Sequence, residues 1–187
     1  MWLKVTIELS FAQYFFTSIQ KLIFKIMIVS ERTLKWALSL YPPLLFQRIW
    51  VKKFHKGFRG VDVKISNSVL NRNYNGSIFG GTIYAATDPF YAILFDQLMQ
   101  RKGYKCRVWL KSASIQYLKP GLTALYFTIK ITDDMIAEAE QALNEHGKFV
   151  KAYPMELYNK QGELCATVSN EVYLRLKFPG EKQRVAI

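Results

Sequence analysis

The residue most able to do chemistry in this sequence is an aspartate in apolar company. Asp88 follows Ile83-Tyr84-Ala85-Ala86-Thr87 and precedes Pro89-Phe90-Tyr91. Seven residues before it stands Gly81, paired with Gly80 and preceded by Phe79 and an asparagine-rich stretch with Asn71, Asn73 and Asn75. A helix that opens at the two glycines leaves its first amides without intrahelical partners, free to donate to a carbonyl or an anion. Glycine also lets such a ligand approach the backbone closely. Seven residues are about two helical turns, which puts Asp88 on the face that carries Gly81. Amides that polarise a carbonyl, with an acid further along the same face, suit acyl chemistry. The competing reading is structural: Asp followed by Pro is the ordinary signature of a helix N-cap with proline at the first helical position. The two readings meet if the helix begins at Gly80 and is kinked at Pro89.

The elements that must position these residues follow from periodicity. Val61, Val63 and Ile65 alternate with Asp62, Lys64 and Ser66, as in a strand with one buried face at about 60–67. The apolar segment from Ile78 to Met99 reads as one long helix stopped at Gly103. Four extended segments follow, 104–118, 122–131, 149–158 and 164–176, punctuated by Lys119-Pro120-Gly121 and Gln161-Gly162. Between the second and third, Thr132 or Asp133 can cap a short helix closed by Gly147. A long helix wrapped by one antiparallel sheet is the economical packing for this order, an α+β domain of five or six strands. Before it, residues 31–50 read as two short helices split by Pro42-Pro43, and Lys52, Lys53, His55, Lys56 and Gly57 read as a polar connector. The expected division is a basic, amphipathic helical extension over 1–56 and a main domain over 57–187.

Composition narrows the class. The chain has 187 residues, 50% hydrophobic, and a net charge of +12, of which residues 1–56 carry most: nine Lys/Arg against Glu8 and Glu31. A basic surface attracts anions of several kinds, and charge alone does not choose among them. The run from Phe11 to Val29 is interrupted by Lys21 and Lys25, which predicts an amphipathic helix on a membrane or on the domain in place of a bilayer span. Peripheral membrane contact through residues 1–50 is therefore expected. Cys106 and Cys165 are the only cysteines, read as reduced, and His55 and His146 have no metal-ligand spacing. No G-x-S-x-G elbow, P-loop or strand-flanked G-x-G-x-x-G occurs, and no interleaved Arg/aromatic motif points to nucleic acid. The expectation is a cytoplasmic protein with no metal, no cofactor and no nucleic-acid partner. Lys111, Lys119 and Arg107 stay unassigned, and Asp96 reads as a buried hydrogen-bond partner or a solvated residue.

From about Gly57 to Lys177 the chain resembles the hotdog-fold thioesterases of the phenylacetyl-coenzyme A type, whose long helix opens with His-Gly-Gly and carries an acid further on. Phe79-Gly80-Gly81 and Asp88 match that spacing. The sequence looks closer still to a less characterised branch of that superfamily, with an Asn-rich loop, Phe-Gly-Gly, Asp-Pro and a strand reading VWLKSASIQYLKPG over 108–121. The resemblance implies an acyl-coenzyme A or acyl-carrier thioester as substrate and a homodimer or dimer of dimers with the site between protomers. It implies Asp88 as base or nucleophile, Gly81 with Gly80 as oxyanion donors, and Asn73, or Asn75 in its place, as the polar positioning residue. Phe79 and Tyr84 are the remaining expected substrate contacts. Phe79 stands where the family has histidine and cannot hydrogen-bond substrate, which leaves a non-catalytic acyl or lipid binder at a membrane surface as the alternative.

Overall fold

A computed structural model describes residues 29–177 of the chain. Two helices come first, α1 (Glu31–Leu40) and α2 (Pro42–Phe46), then β1 (Ile49–Phe54) and β2 (Gly60–Ile65). A helical rod follows in two pieces, α3 (Gly80–Thr87) and α4 (Pro89–Arg101). The described residues continue through β3 (Cys106–Tyr117), β4 (Leu125–Lys130), α5 (Asp133–His146), β5 (Lys148–Asn159) and β6 (Leu164–Leu176). All strand pairs are antiparallel in one six-stranded sheet of order β1-β2-β4-β5-β6-β3, so β1 and β3 are the edges.

Period-two patterning makes the sheet one-sided. Val61, Val63 and Ile65 on β2, Leu125, Phe127 and Ile129 on β4, and Val168, Val172 and Leu174 on β6 are buried, with polar residues between them. The helix lies on that face, and Phe90, Leu94 and Phe95 are fully buried at helical spacing. Phe95 stacks on Tyr153 at 5.5 Å between ring centroids, and Phe90 meets the edge of Phe127 at 5.8 Å. Apolar burial of this kind contributes about 1.5–3 kcal/mol per large side chain, which is what holds the rod under the sheet. Along α5, Thr132 caps the N-terminus and Gly147, at φ 67°, closes the C-terminus.

The expected connector over Lys52–Gly57 is corrected by the structure. Residues 49–54 are the edge strand β1, paired with β2 from Ile49↔Ile65 to Phe54↔Val61. The pairing shifts register between Val51 and Lys53, so the exposed pair Lys52-Lys53 breaks the alternation. The boundary drawn between residues 56 and 57 thus falls within the sheet hairpin, and α1 packs along β1 with the Glu31 carboxylate accepting from the Gly57 amide at 2.9 Å. The expected amphipathic helix beginning at Phe11 lies, up to residue 28, outside the described residues.

Candidate functional site

Asp88 sits where the rod bends. Pro89 has no amide to continue the helical ladder, so the rod divides there, yet Asp88 keeps helical dihedrals (φ −60°, ψ −54°) and its side chain makes no capping hydrogen bond. The N-cap reading of Asp-Pro is therefore not what the geometry shows: a helix precedes the aspartate, and the carboxylate is not consumed by the backbone. Among the described residues it has no hydrogen-bond or ion-pair partner. Gly81, Tyr84 and Asp88 are all exposed, one to two turns apart, and form an open stripe on the rod. Although exposed at the surface, the Asp88 carboxyl is partly desolvated by the chain around it, which raises its pKa above the ordinary aspartate range.

At the N-terminus of α3, Thr82 and Ile83 donate to the carbonyl of Phe79, at 2.9 and 3.2 Å, while the Gly80 and Gly81 amides have no acceptor in the described chain. Two aromatic rings bracket these amides. Tyr117 donates its hydroxyl to the Gly80 carbonyl at 2.9 Å, and its ring would lie 3.2 Å from a Cβ placed on Gly80. A Cβ on Gly81 would meet the Phe79 ring at 2.4 Å, so glycine there is what allows the half-exposed ring to fold over the amide.

The asparagines hold the loop that delivers this terminus. Asn71 is buried and donates to the carbonyls of Gln47 and Ser66, both at 2.8 Å. Asn67 donates to the Leu122 carbonyl at 2.9 Å, tying the loop to the β3–β4 turn. Asn73 accepts from the amides of Asn75 and Ser77, at 3.0 and 3.2 Å, and donates to the Ser77 hydroxyl at 2.9 Å. All of its side-chain hydrogen bonds close the loop on itself. Asn75 is exposed beside it, and Asp96 is bonded by Gln100 at 2.5 Å.

Two residues not singled out in the sequence join the site. Tyr117 is one. The other is Asn170 on β6, fully buried, which donates its amide to the Thr87 carbonyl at 2.7 Å, immediately before Asp88. Its own oxygen has no partner in the structure. The bond ties the bend to the middle of the sheet and fixes where Asp88 emerges. Replacing Asn170 with Leu removes that tie and strands a buried carbonyl, a loss on the order of 1–3 kcal/mol readable as a lower midpoint in urea unfolding; an unchanged midpoint would show that the bond carries no weight.

Among the described residues the stripe of Gly81, Tyr84 and Asp88 is exposed. Open grooves of about 310 and 570 Å³ lie at the Lys119–Glu163 turns and between β4 and β5, and neither is lined by Asp88. No cluster of His, Cys, Asp or Glu suited to a metal ion occurs among the described residues.

The chain matches, over residues 30–174, the family model described as a domain of unknown function, DUF4442, and belongs to that family. No curated protein matches it by sequence. Its fold is shared with a Pseudomonas aeruginosa protein of unknown function named a probable thioesterase (TM-score 0.69, 16% identity, covering 78% of this chain and 95% of that one). It is also shared with a Chlorobaculum tepidum protein of unknown function (TM-score 0.66, 14% identity, 78% and 93% covered). A thioesterase from Haemophilus influenzae aligns with a TM-score of 0.59 at 9% identity over 82% of this chain and 96% of that one. The six-stranded sheet around one long helix is the hotdog fold, as the resemblance implied.

Proposed function

We propose that this protein hydrolyses an acyl thioester, carried on coenzyme A or on an acyl-carrier protein, with Asp88 as the general base. The observation that carries the reading is the stripe itself: an unpartnered, partly desolvated carboxylate aligned along one helix face with two unsatisfied amides at its N-terminus. In the proposed reaction Asp88 takes a proton from water as its oxygen bonds to the thioester carbonyl carbon. The Gly80 and Gly81 amides stabilise the resulting oxyanion. The C–S bond then breaks, and the leaving thiolate receives the proton held by Asp88. Asn73 acts by holding the loop that presents the amides, and Phe79 and Tyr84 supply apolar contact to the acyl group. Similarity of fold to the Haemophilus influenzae thioesterase supports the class of reaction.

The open stripe and the free edge of β3 fit a homodimer. β3 has twelve residues with no strand on its outer side among the described residues, and α4 packs against it. A second copy paired along that edge would cover the stripe and exclude water from it. We read the reaction as cytoplasmic, with Cys106 and Cys165 as buried free thiols. A second reading, acyl binding without turnover, is favoured by the Phe79 ring over Gly81.

Thiol release from a panel of short- to long-chain acyl-coenzyme A tests the proposal. Release at some chain length is expected, and its rate should rise with pH through a midpoint above the usual aspartate value, because only the ionised carboxylate is a base and desolvation delays its ionisation. Bound acyl-coenzyme A with no thiol released would favour the second reading.

A further inference from the structure

No helix among the described residues is long and apolar enough to cross a membrane. One surface is nonetheless built of large apolar side chains left in water. On α1, Trp36 and Leu40 are one turn apart on the side turned away from β1, and Phe46 follows on α2. The asparagine-rich loop adds Val69, Leu70 and Tyr74, of which Val69 is 85% and Tyr74 98% exposed. Two bonds join these segments: Asn71 to the Gln47 carbonyl, and the Ser66 amide to the Arg48 carbonyl at 3.0 Å. Phe46 and Leu70 are each one residue from the first of these bonds, so the helices and the loop present their apolar side chains at one end of the sheet.

The charge around this surface is predominantly positive. Between residues 31 and 79 the sequence carries nine Lys/Arg against two acids, Glu31, which accepts from the Gly57 amide, and Asp62, which is held by His55 at 3.1 Å. Lys35 lies over the Trp36 ring at 5.2 Å, and Arg32, Lys52, Lys53 and Arg72 are exposed. A second copy of the same surface would oppose these cations with an equal set, which disfavours self-association here. Tryptophan and tyrosine with an apolar body and a polar edge, ringed by Lys and Arg, suit the boundary of a bilayer with negative headgroups.

We propose that the surface formed by α1, α2 and the 66–74 loop docks the protein on an anionic lipid bilayer, with Trp36, Leu40, Phe46, Val69, Leu70 and Tyr74 inserted at the headgroup boundary. The proposal does not depend on thioester hydrolysis, and it assigns the contact to residues of α1, α2 and the 66–74 loop.

Co-sedimentation of the full chain with vesicles tests it. Equal parts phosphatidylcholine and phosphatidylglycerol should bind the protein, whereas phosphatidylcholine alone, or high salt, should weaken binding on the order of tenfold. The triple variant Phe46→Ser, Leu70→Ser, Tyr74→Ser alters only exposed or half-buried side chains and should lose at least about tenfold in vesicle affinity. Nitroxide-labelled lipid should also quench a component of the tryptophan fluorescence that disappears in Trp36→Phe, a readout that does not depend on how the triple variant folds. Vesicle binding by the triple variant equal to wild type, no binding by wild type, or no Trp36 component would each overturn the proposal. So would a wild-type oligomer that the triple variant disperses without any vesicle binding, which would make the surface a contact between copies.

Discussion

Asp88→Asn should lower acyl-coenzyme A hydrolysis about 10²–10⁴-fold while leaving the protein folded, because a positioned general base is worth that much and the amide cannot accept the proton. The expected stability change has the opposite sign. The folded-state pKa of Asp88 is raised, so its favourable contribution exists below the unfolded value and is lost as pH rises through the folded value. At neutral pH the ionised group is a cost to folding, and asparagine removes it. The variant should therefore be nearly inactive and melt no lower than wild type at neutral pH, with any advantage shrinking as the buffer is acidified. Thiol release and thermal melting on the same preparations check both parts. A variant that keeps most of the rate would remove Asp88 from the chemistry, and one that melts much lower would make it a structural residue.

The second large effect is on the core. Phe95→Ala should cost about 3–5 kcal/mol of stability. The ring is fully buried, stacks on Tyr153, and lies 6.1 Å from the ring of Phe149, so truncation leaves a cavity between the helix and two points on β5. The rod and the sheet relax poorly toward each other there, since Asn170 and the Tyr91 hydroxyl, which donates to the Pro154 carbonyl at 2.9 Å, pin the bend to the strands. Equilibrium denaturation in urea measures the loss, and a change below 1 kcal/mol would mean that the aromatic stack is not what fastens the helix.

Much of this architecture was legible in the sequence because local signals agreed with burial. The strand over Leu164–Leu176 has the bounds that alternation predicted, and Thr132 and Gly147 close α5 at the expected residues. Asp-Pro was ambiguous by type, and the dihedrals resolve it as a bend inside a helix. The edge strand β1 was missed for a local reason: the register shift at Val51/Lys53 places two lysines side by side and erases the period of two. The site was less legible than the fold. Asp88 and the glycines announce themselves within one helix, but Tyr117 reaches Gly80 across 37 positions and Asn170 reaches Thr87 across 83, and no spacing rule connects residues so far apart. Asn73 was implied by the resemblance alone, and its bonds show a loop brace.

Single-turnover hydrolysis in ¹⁸O-water, with enzyme in excess over acyl-coenzyme A, tests most directly the claim that Asp88 activates water at this stripe. The account predicts stoichiometric thiol, free acid carrying one solvent oxygen, and no label in the peptide containing Asp88. Label in the Asp88 carboxylate would show that the residue attacks the thioester itself, and the absence of thiol with substrate bound would contradict hydrolysis altogether.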